Sequence, residues 1–103
     1  MPEYRASRIK ADRRALLTYL NMVYPRWVPG EELFLIRLDD NPEYSRTLLV
    51  RDMDYLSERG YIAFKSVSGR DVRNNSCKDC KFKITANGTD FANKIMEDPR
   101  LEI

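Results

Sequence analysis

Residues 45–91 contain the clearest structural signals of this chain, and they read SRTLLVRDMDYLSERGYIAFKSVSGRDVRNNSCKDCKFKITANGTDF. Ser45 predicts a helix N-cap, because its hydroxyl can accept a hydrogen bond from a free amide of the first helical turn. Leu49, Met53 and Leu56 then recur at helical spacing and mark one buried face. Gly60 is a typical helix stop. We therefore expect a helix between residues 45 and 60.

The stretch after Gly60 predicts a β-hairpin. Residues 61–67 alternate between apolar and polar side chains, which suits a half-buried strand, and Phe82 with Ile84 marks the returning strand. The polar and basic residues between the two strands would form the tip of a hairpin spanning about residues 61–85. Asn87-Gly88 opens a last helix at about residues 86–98, before Pro99.

Two further helices are predicted upstream. The first covers about residues 8–24 and ends at Pro25, because apolar side chains share one face at Ile9, Leu16, Leu17, Leu20, Val23 and Tyr24. The second begins at Pro29-Gly30, where a proline precedes two acids that favour the positive end of the helix dipole, and it ends near Asn41-Pro42. Trp27-Val28 could add a short strand beside the hairpin.

The order of these elements predicts an α+β domain of the winged helix-turn-helix class. It consists of a three-helix core, a β-hairpin wing and a C-terminal helix, with a basic N-terminal arm at about residues 1–8. A chain of 103 residues fits one such domain, so we expect residues 1–103 to form a single winged-helix domain. The expected core comprises Leu16, Leu20, Leu49, Met53, Leu56, Ile62, Phe82, Ile84 and Phe91.

Charge is distributed unevenly along the chain, although the net charge is only +2. Residues 1–26 and 61–85 are clearly basic, whereas residues 27–44 hold five acids against Arg37. A surface that binds a polyanion would therefore use the N-terminal arm and the wing and exclude the second helix.

Several functional classes lack support in the sequence. Residues 1–103 contain no long apolar run and no leader with a hydrophobic centre, so a cytoplasmic protein without membrane contact is expected. The chain has no histidine and no glycine-rich phosphate loop, so we expect neither an enzyme nor a small-molecule substrate or cofactor. The aromatic residues are expected in the core rather than on a base-stacking platform of an RNA-binding module.

The pair Cys77 and Cys80 has the spacing of half a zinc knuckle. A closed zinc site needs four ligands, and two chains could supply four thiolates across a symmetric contact. A redox role is disfavoured because the pair is predicted in a loop rather than at a helix start. The favoured interpretation is two free loop cysteines that shape the wing, with no bound metal.

Short motifs give the chain a resemblance to a known family. Residues 9–14 (IKADRR), Ser45-Arg46 and the pattern Leu49, Met53, Leu56, Gly60, Tyr61, Ile62 resemble the ArsR-like winged-helix proteins of Mu-like phages and prophages. The resemblance covers most of the chain, but the wing with its two cysteines departs from the plainer wing of that family. It implies a phage-borne winged-helix protein that binds DNA.

The expected function is therefore a sequence-specific, DNA-binding transcriptional regulator that acts as a homodimer. The helix at 45–60 would read the groove, and the wing and the arm would contact the backbone. The alternative is a winged-helix scaffold that binds another protein without DNA, which the acidic segment and the nearly neutral third helix favour. The candidate residues for contact with double-stranded DNA are Ser45, Arg46, Thr47, Val50, Arg51, Asp54, Lys65, Arg70, Arg73 and Lys78.

Overall fold

The computed structural model describes residues 6–66 and 80–97, which form four α-helices and a three-stranded antiparallel sheet. This confirms the predicted α+β class for the described part of the chain. The elements are α1 (Ala6–Met22), β1 (Val28–Pro29), α2 (Gly30–Asp40), α3 (Arg46–Glu58), β2 (Ile62–Ser66), β3 (Cys80–Ile84) and α4 (Ala86–Glu97).

The predicted boundaries of the helices and strands are correct to within two residues. The first helix starts two residues earlier than predicted, so residues 6–8, expected in the N-terminal arm, already belong to α1, and residues 1–5 lie outside the described part. The first helix also ends at Met22 rather than at residue 24, because the chain turns there ahead of Pro25. Tyr24 is consequently 56% exposed, and its predicted place on the buried face was wrong.

The sheet has the order β1-β3-β2, so the short strand near Trp27 does pair with the hairpin. It begins one residue later than predicted, and its register sets Val28 opposite Phe82. Across the hairpin, Ile62 lies opposite Ile84 and Lys65 lies opposite Lys81. Side chains alternate between the two faces of a strand, so β3 directs Cys80, Phe82 and Ile84 towards the core and its two lysines outward.

One hydrophobic core joins the helices to the inner face of the sheet. Eight of the nine predicted core residues are buried to 3% exposure or less. Phe91 is the exception, because it is only partly buried and stacks on Tyr61 with ring centroids 4.6 Å apart. None of the helices in the described ranges is long and apolar enough to cross a bilayer.

Two glycines fix how the hairpin joins α3 and α4. Gly60 ends α3 with φ +77°, a left-handed conformation that residues with a Cβ rarely adopt. Gly88 lies in the first turn of α4, where a Cβ would come 2.0 Å from the carbonyl oxygen of Tyr61. The N-cap of α4 is Thr85, whose hydroxyl accepts from the Gly88 amide at 3.1 Å and donates to the Gly60 carbonyl at 2.6 Å.

Candidate nucleic-acid interface

The N-terminus of α3 is held by Ser45, as the sequence predicts. Its backbone is extended, and its hydroxyl oxygen accepts a hydrogen bond from the Leu48 amide at 3.2 Å. A cap of this kind satisfies one of the free amides of the first turn. The first turn of α3 is therefore well defined, and Arg46 and Thr47 on it are exposed.

The predicted contact face of α3 is only partly open to solvent. Leu49, Met53 and Leu56 bury the opposite face, as expected. On the outward side, Val50, Arg51 and Asp54 are half-buried, and Val50 packs against the edge of the core. The most accessible part of this face is thus its N-terminal turn.

Arg46 forms an ion pair with Glu31, the second residue of α2. The guanidinium donates from Nε at 3.3 Å and from Nη2 at 2.5 Å to the two carboxylate oxygens. It also lies over the ring of Phe34, 4.5 Å from the centroid. Both side chains are more than 40% exposed, so water screens this ion pair and a phosphate could displace the carboxylate.

Arg51 is directed to a buried carboxylate rather than outward. Its Nε and Nη2 donate to Oδ1 of Asp52 at 3.0 and 2.7 Å. The same carboxylate, which is fully buried, accepts from Nε of Arg13 at 3.2 Å and from the Tyr44 hydroxyl at 2.8 Å. Burial raises the pKa of Asp52, and the hydrogen bonds from Arg51 and Tyr44 oppose that shift.

A second buried carboxylate, Asp12, joins α1 to the end of α2. Its Oδ1 accepts from Nε of Arg37 at 2.6 Å and from the side-chain amide of Asn41 at 3.3 Å. Asp12 and Asn41 are fully buried and Arg37 is 9% exposed. This cluster fixes the end of α2 and the start of the connection to α3, and therefore the relative placement of the two helices.

Apolar spacing alone did not identify Asp12 and Asp52 as structural residues. A signal was present, since Asp12 stands four residues before Leu16, and Asp52 lies between Leu49 and Leu56 at helical spacing. Both acids therefore share a face with the buried leucines of their own helix. An acid within an apolar stripe indicates a buried, paired carboxylate.

The outer face of the sheet carries Trp27, Lys65, Lys81 and Lys83, and we call this group the outer-sheet cluster. The ring of Trp27 lies under two ammonium groups, with its centroid 4.5 Å from Nζ of Lys65 and 5.2 Å from Nζ of Lys83. Lys65, one of the predicted contact residues, is exposed near the end of β2. The other predicted wing contacts, Arg70, Arg73 and Lys78, lie outside the described residues.

Cys80 is not a loop residue, which corrects the expectation for this cysteine. It is the first residue of β3 and is 1% exposed, because the inward positions of that strand begin with it. Cys77 lies outside the described residues. Within residues 6–66 and 80–97, no group of three or more potential metal ligands of the His, Cys, Asp or Glu type comes together.

Comparisons with known proteins give no relative for this chain. No family model matches it, and no curated protein or solved structure shows significant similarity.

Proposed function

We propose that this protein is a winged-helix DNA-binding regulator of the kind that the phage resemblance implies. The order α1, β1, α2, α3, hairpin, α4 supports this proposal, as does the pairing of β1 with the hairpin. The link between α2 and α3 is short and is closed by a hydrogen bond from the Tyr44 amide to the Asn41 carbonyl at 2.9 Å. A short, rigid link is what a helix-turn-helix joint requires.

The exposed first turn of α3 is the observation that carries the proposal. Arg46 and Thr47 are exposed on a helix whose other side is fixed in the core. Thr47 and Val50 could contact a thymine methyl, and Arg46 could exchange the Glu31 carboxylate for a phosphate or a guanine edge. Arg51 is better assigned to holding Asp52, so we expect it to support α3 rather than to read bases.

Backbone contacts would come from the hairpin. Lys65 is exposed on β2, and the segment that follows carries Arg70, Arg73 and Lys78 in its sequence. Neutralising phosphates releases condensed counterions, so affinity should fall steeply as salt rises.

Titration of a labelled random duplex at low and moderate salt tests this function. Wild type should bind at low salt, and Lys65→Gln should reduce the slope of log affinity against log salt by about 0.9. Lys94→Gln is the matched control, because Lys94 is an exposed lysine on α4, outside the proposed interface. Absence of binding by wild type even at low salt would refute DNA binding.

The second candidate function is a protein-binding scaffold. It is favoured by one specific observation, that Arg46 and Arg51 are both engaged by carboxylates of this same chain. A protein partner, unlike DNA, would not require either arginine to be released. Homodimerisation remains part of the DNA-binding proposal, because paired half-sites add affinity, and sedimentation with and without duplex measures it.

A further inference from the structure

The outer-sheet cluster is an all-basic surface on strands that carry no carboxylate. Residues 62–66 and 80–84 contain no Asp or Glu, and their outward positions include Lys65, Lys81 and Lys83. Trp27 precedes β1, and continuing the register of β1 with β3 places it opposite Lys83. The four side chains therefore occupy neighbouring positions on one face of the sheet.

Repulsion between neighbouring lysines opposes this arrangement of charges. Lys65 and Lys81 are direct cross-strand partners, and like charges at such positions repel each other. No ion pair joins Lys65, Lys81 or Lys83 to a carboxylate within residues 6–66 or 80–97. A local like-charge pair that opposes folding is typical of a functional surface.

Trp27 contacts two of these three lysines. Nζ of Lys65 and Nζ of Lys83 both lie within about 5 Å of its ring centroid, which is the geometry of a cation–π contact. Both ammonium groups are therefore positioned by contact with one indole ring on the outer face of the sheet. An anion bound at this face would meet ammonium groups that are already ordered.

We propose that the outer-sheet cluster binds the phosphodiester backbone of duplex DNA, as a contact separate from the groove contact of α3. The inference rests on the proposed function and extends it to a surface that includes Trp27, Lys81 and Lys83. Bound phosphate would relieve the repulsion between Lys65 and Lys81 and would use ammonium groups already positioned by Trp27. The cluster contributes affinity and not sequence selectivity, because phosphates carry no base identity.

A duplex suits this surface better than a single strand. Surfaces for single strands use several aromatic rings on which successive bases stack. In the described sheet, Trp27 is the one aromatic residue on the outer face, since Phe82 is fully buried and Phe64 shares its side of the sheet. The ring of Trp27 is also already in contact with two lysines, so a base would have to displace them.

The test combines salt-dependent binding of the random duplex with thermal unfolding, using Lys81→Gln, Lys83→Gln and Lys94→Gln in the full chain. Lys81→Gln and Lys83→Gln should each lower the salt slope by about 0.9 and weaken all sequences alike. The thermal midpoint of Lys81→Gln should be unchanged or higher, because the substitution removes a like-charge pair. Lys94→Gln should match wild type, and Trp27 emission should change when duplex is added.

The outcomes separate this inference from the proposed function. If wild type binds duplex and both lysine variants keep its salt slope, the outer-sheet contact is wrong and DNA binding stands. If wild type does not bind duplex at all, both proposals fail. Weaker binding that only accompanies a lower thermal midpoint would indicate a structural role and overturn the inference. Tighter binding of a thymidine oligonucleotide, with quenching of Trp27, would overturn the assignment to duplex.

Discussion

Replacing Asp52 with alanine should be the most informative single perturbation of this fold. Its carboxylate is fully buried and accepts hydrogen bonds from Arg13, Arg51 and Tyr44. Removing one member of a buried ionic cluster costs about 3–5 kcal/mol, because its partners stay behind without compensation. The Tyr44 hydroxyl alone, buried and unpaired, accounts for about 1–3 kcal/mol of this cost.

The lower end of this range is expected for Asp52→Ala. The side chains of Arg13 and Arg51 are 15% and 30% exposed, so both guanidinium groups can turn towards water when the carboxylate is gone. Burial also raises the pKa of Asp52, because the loss of hydration outweighs the hydrogen bonds from Arg51 and Tyr44. A loss of about 3 kcal/mol corresponds to a fall in thermal midpoint of roughly 12–20 °C for a domain of this size.

Urea unfolding followed by Trp27 fluorescence measures the effect, since Trp27 is the single tryptophan of the chain. Asp40→Ala is the control, because the Asp40 side chain is 72% exposed and its Oδ2 lies 3.7 Å from Nη1 of Arg37. Its loss should lower the free energy of unfolding by less than about 0.5 kcal/mol. Tyr44→Phe should destabilise wild type by about 1 kcal/mol and should be neutral or stabilising in Asp52→Ala. A cost below about 1 kcal/mol for Asp52→Ala, with an unchanged denaturant slope, would show that the buried cluster does not stabilise the fold.

Three further predictions concern other parts of the molecule. Gly88→Ala should destabilise the fold by about 3 kcal/mol or more in urea unfolding, because its Cβ would lie 2.0 Å from the Tyr61 carbonyl oxygen; an exposed Asn93→Ala variant on the same helix should stay within about 1 kcal/mol of wild type. Hydrogen bonds from Arg26 and Tyr19 lower the pKa of Glu32 in the folded protein. The contribution of this carboxylate to the free energy of unfolding is therefore present above the ordinary pKa of 4.5 and is lost as the pH falls through the lower folded-state pKa. The small stability advantage of wild type over Glu32→Gln, at most about 1 kcal/mol at pH 7, should therefore shrink below pH 4.5, and a constant difference across an acid titration of stability would contradict this. Cys80→Ser should lower the free energy of unfolding by about 1–3 kcal/mol, because it places a hydroxyl in the core. The reduced wild-type protein should contain no zinc by elemental analysis, and stoichiometric zinc would show that the cysteine pair binds metal.

The order of the elements could be predicted because local signals agree along the chain. Ser45, Gly60 and the spacing of Leu49, Met53 and Leu56 define α3, and each acts on the backbone within a turn or two of itself. The alternation around Phe82 likewise sets which side chains of β3 face inward. The start of α1 and the position of Tyr24 could not be predicted in the same way, because the end of an apolar stripe does not fix where a helix frays or turns.

The candidate contact surface was only partly predictable. Helical spacing placed Arg46, Thr47 and Val50 on one side of α3, and this placement agrees with the structure. Spacing cannot show that Arg51 is directed to Asp52 or that Glu31 reaches Arg46 from another helix, fifteen residues earlier in the chain. Such partners are decided by how whole helices pack.

The elements of this protein, their order and the uneven distribution of charge follow from local sequence, because they depend on neighbouring residues. Which charged groups are buried, and which remain available to a partner, depends on how the elements pack together. Packing of α1, α2 and α3 encloses Asp12 and Asp52 and engages the arginines around them. Pairing of β1 with β3 brings Trp27 beside Lys65 and Lys83, residues that are distant in the sequence. Burial and the pairing of charges depend on contacts between elements, and no local pattern encodes those contacts.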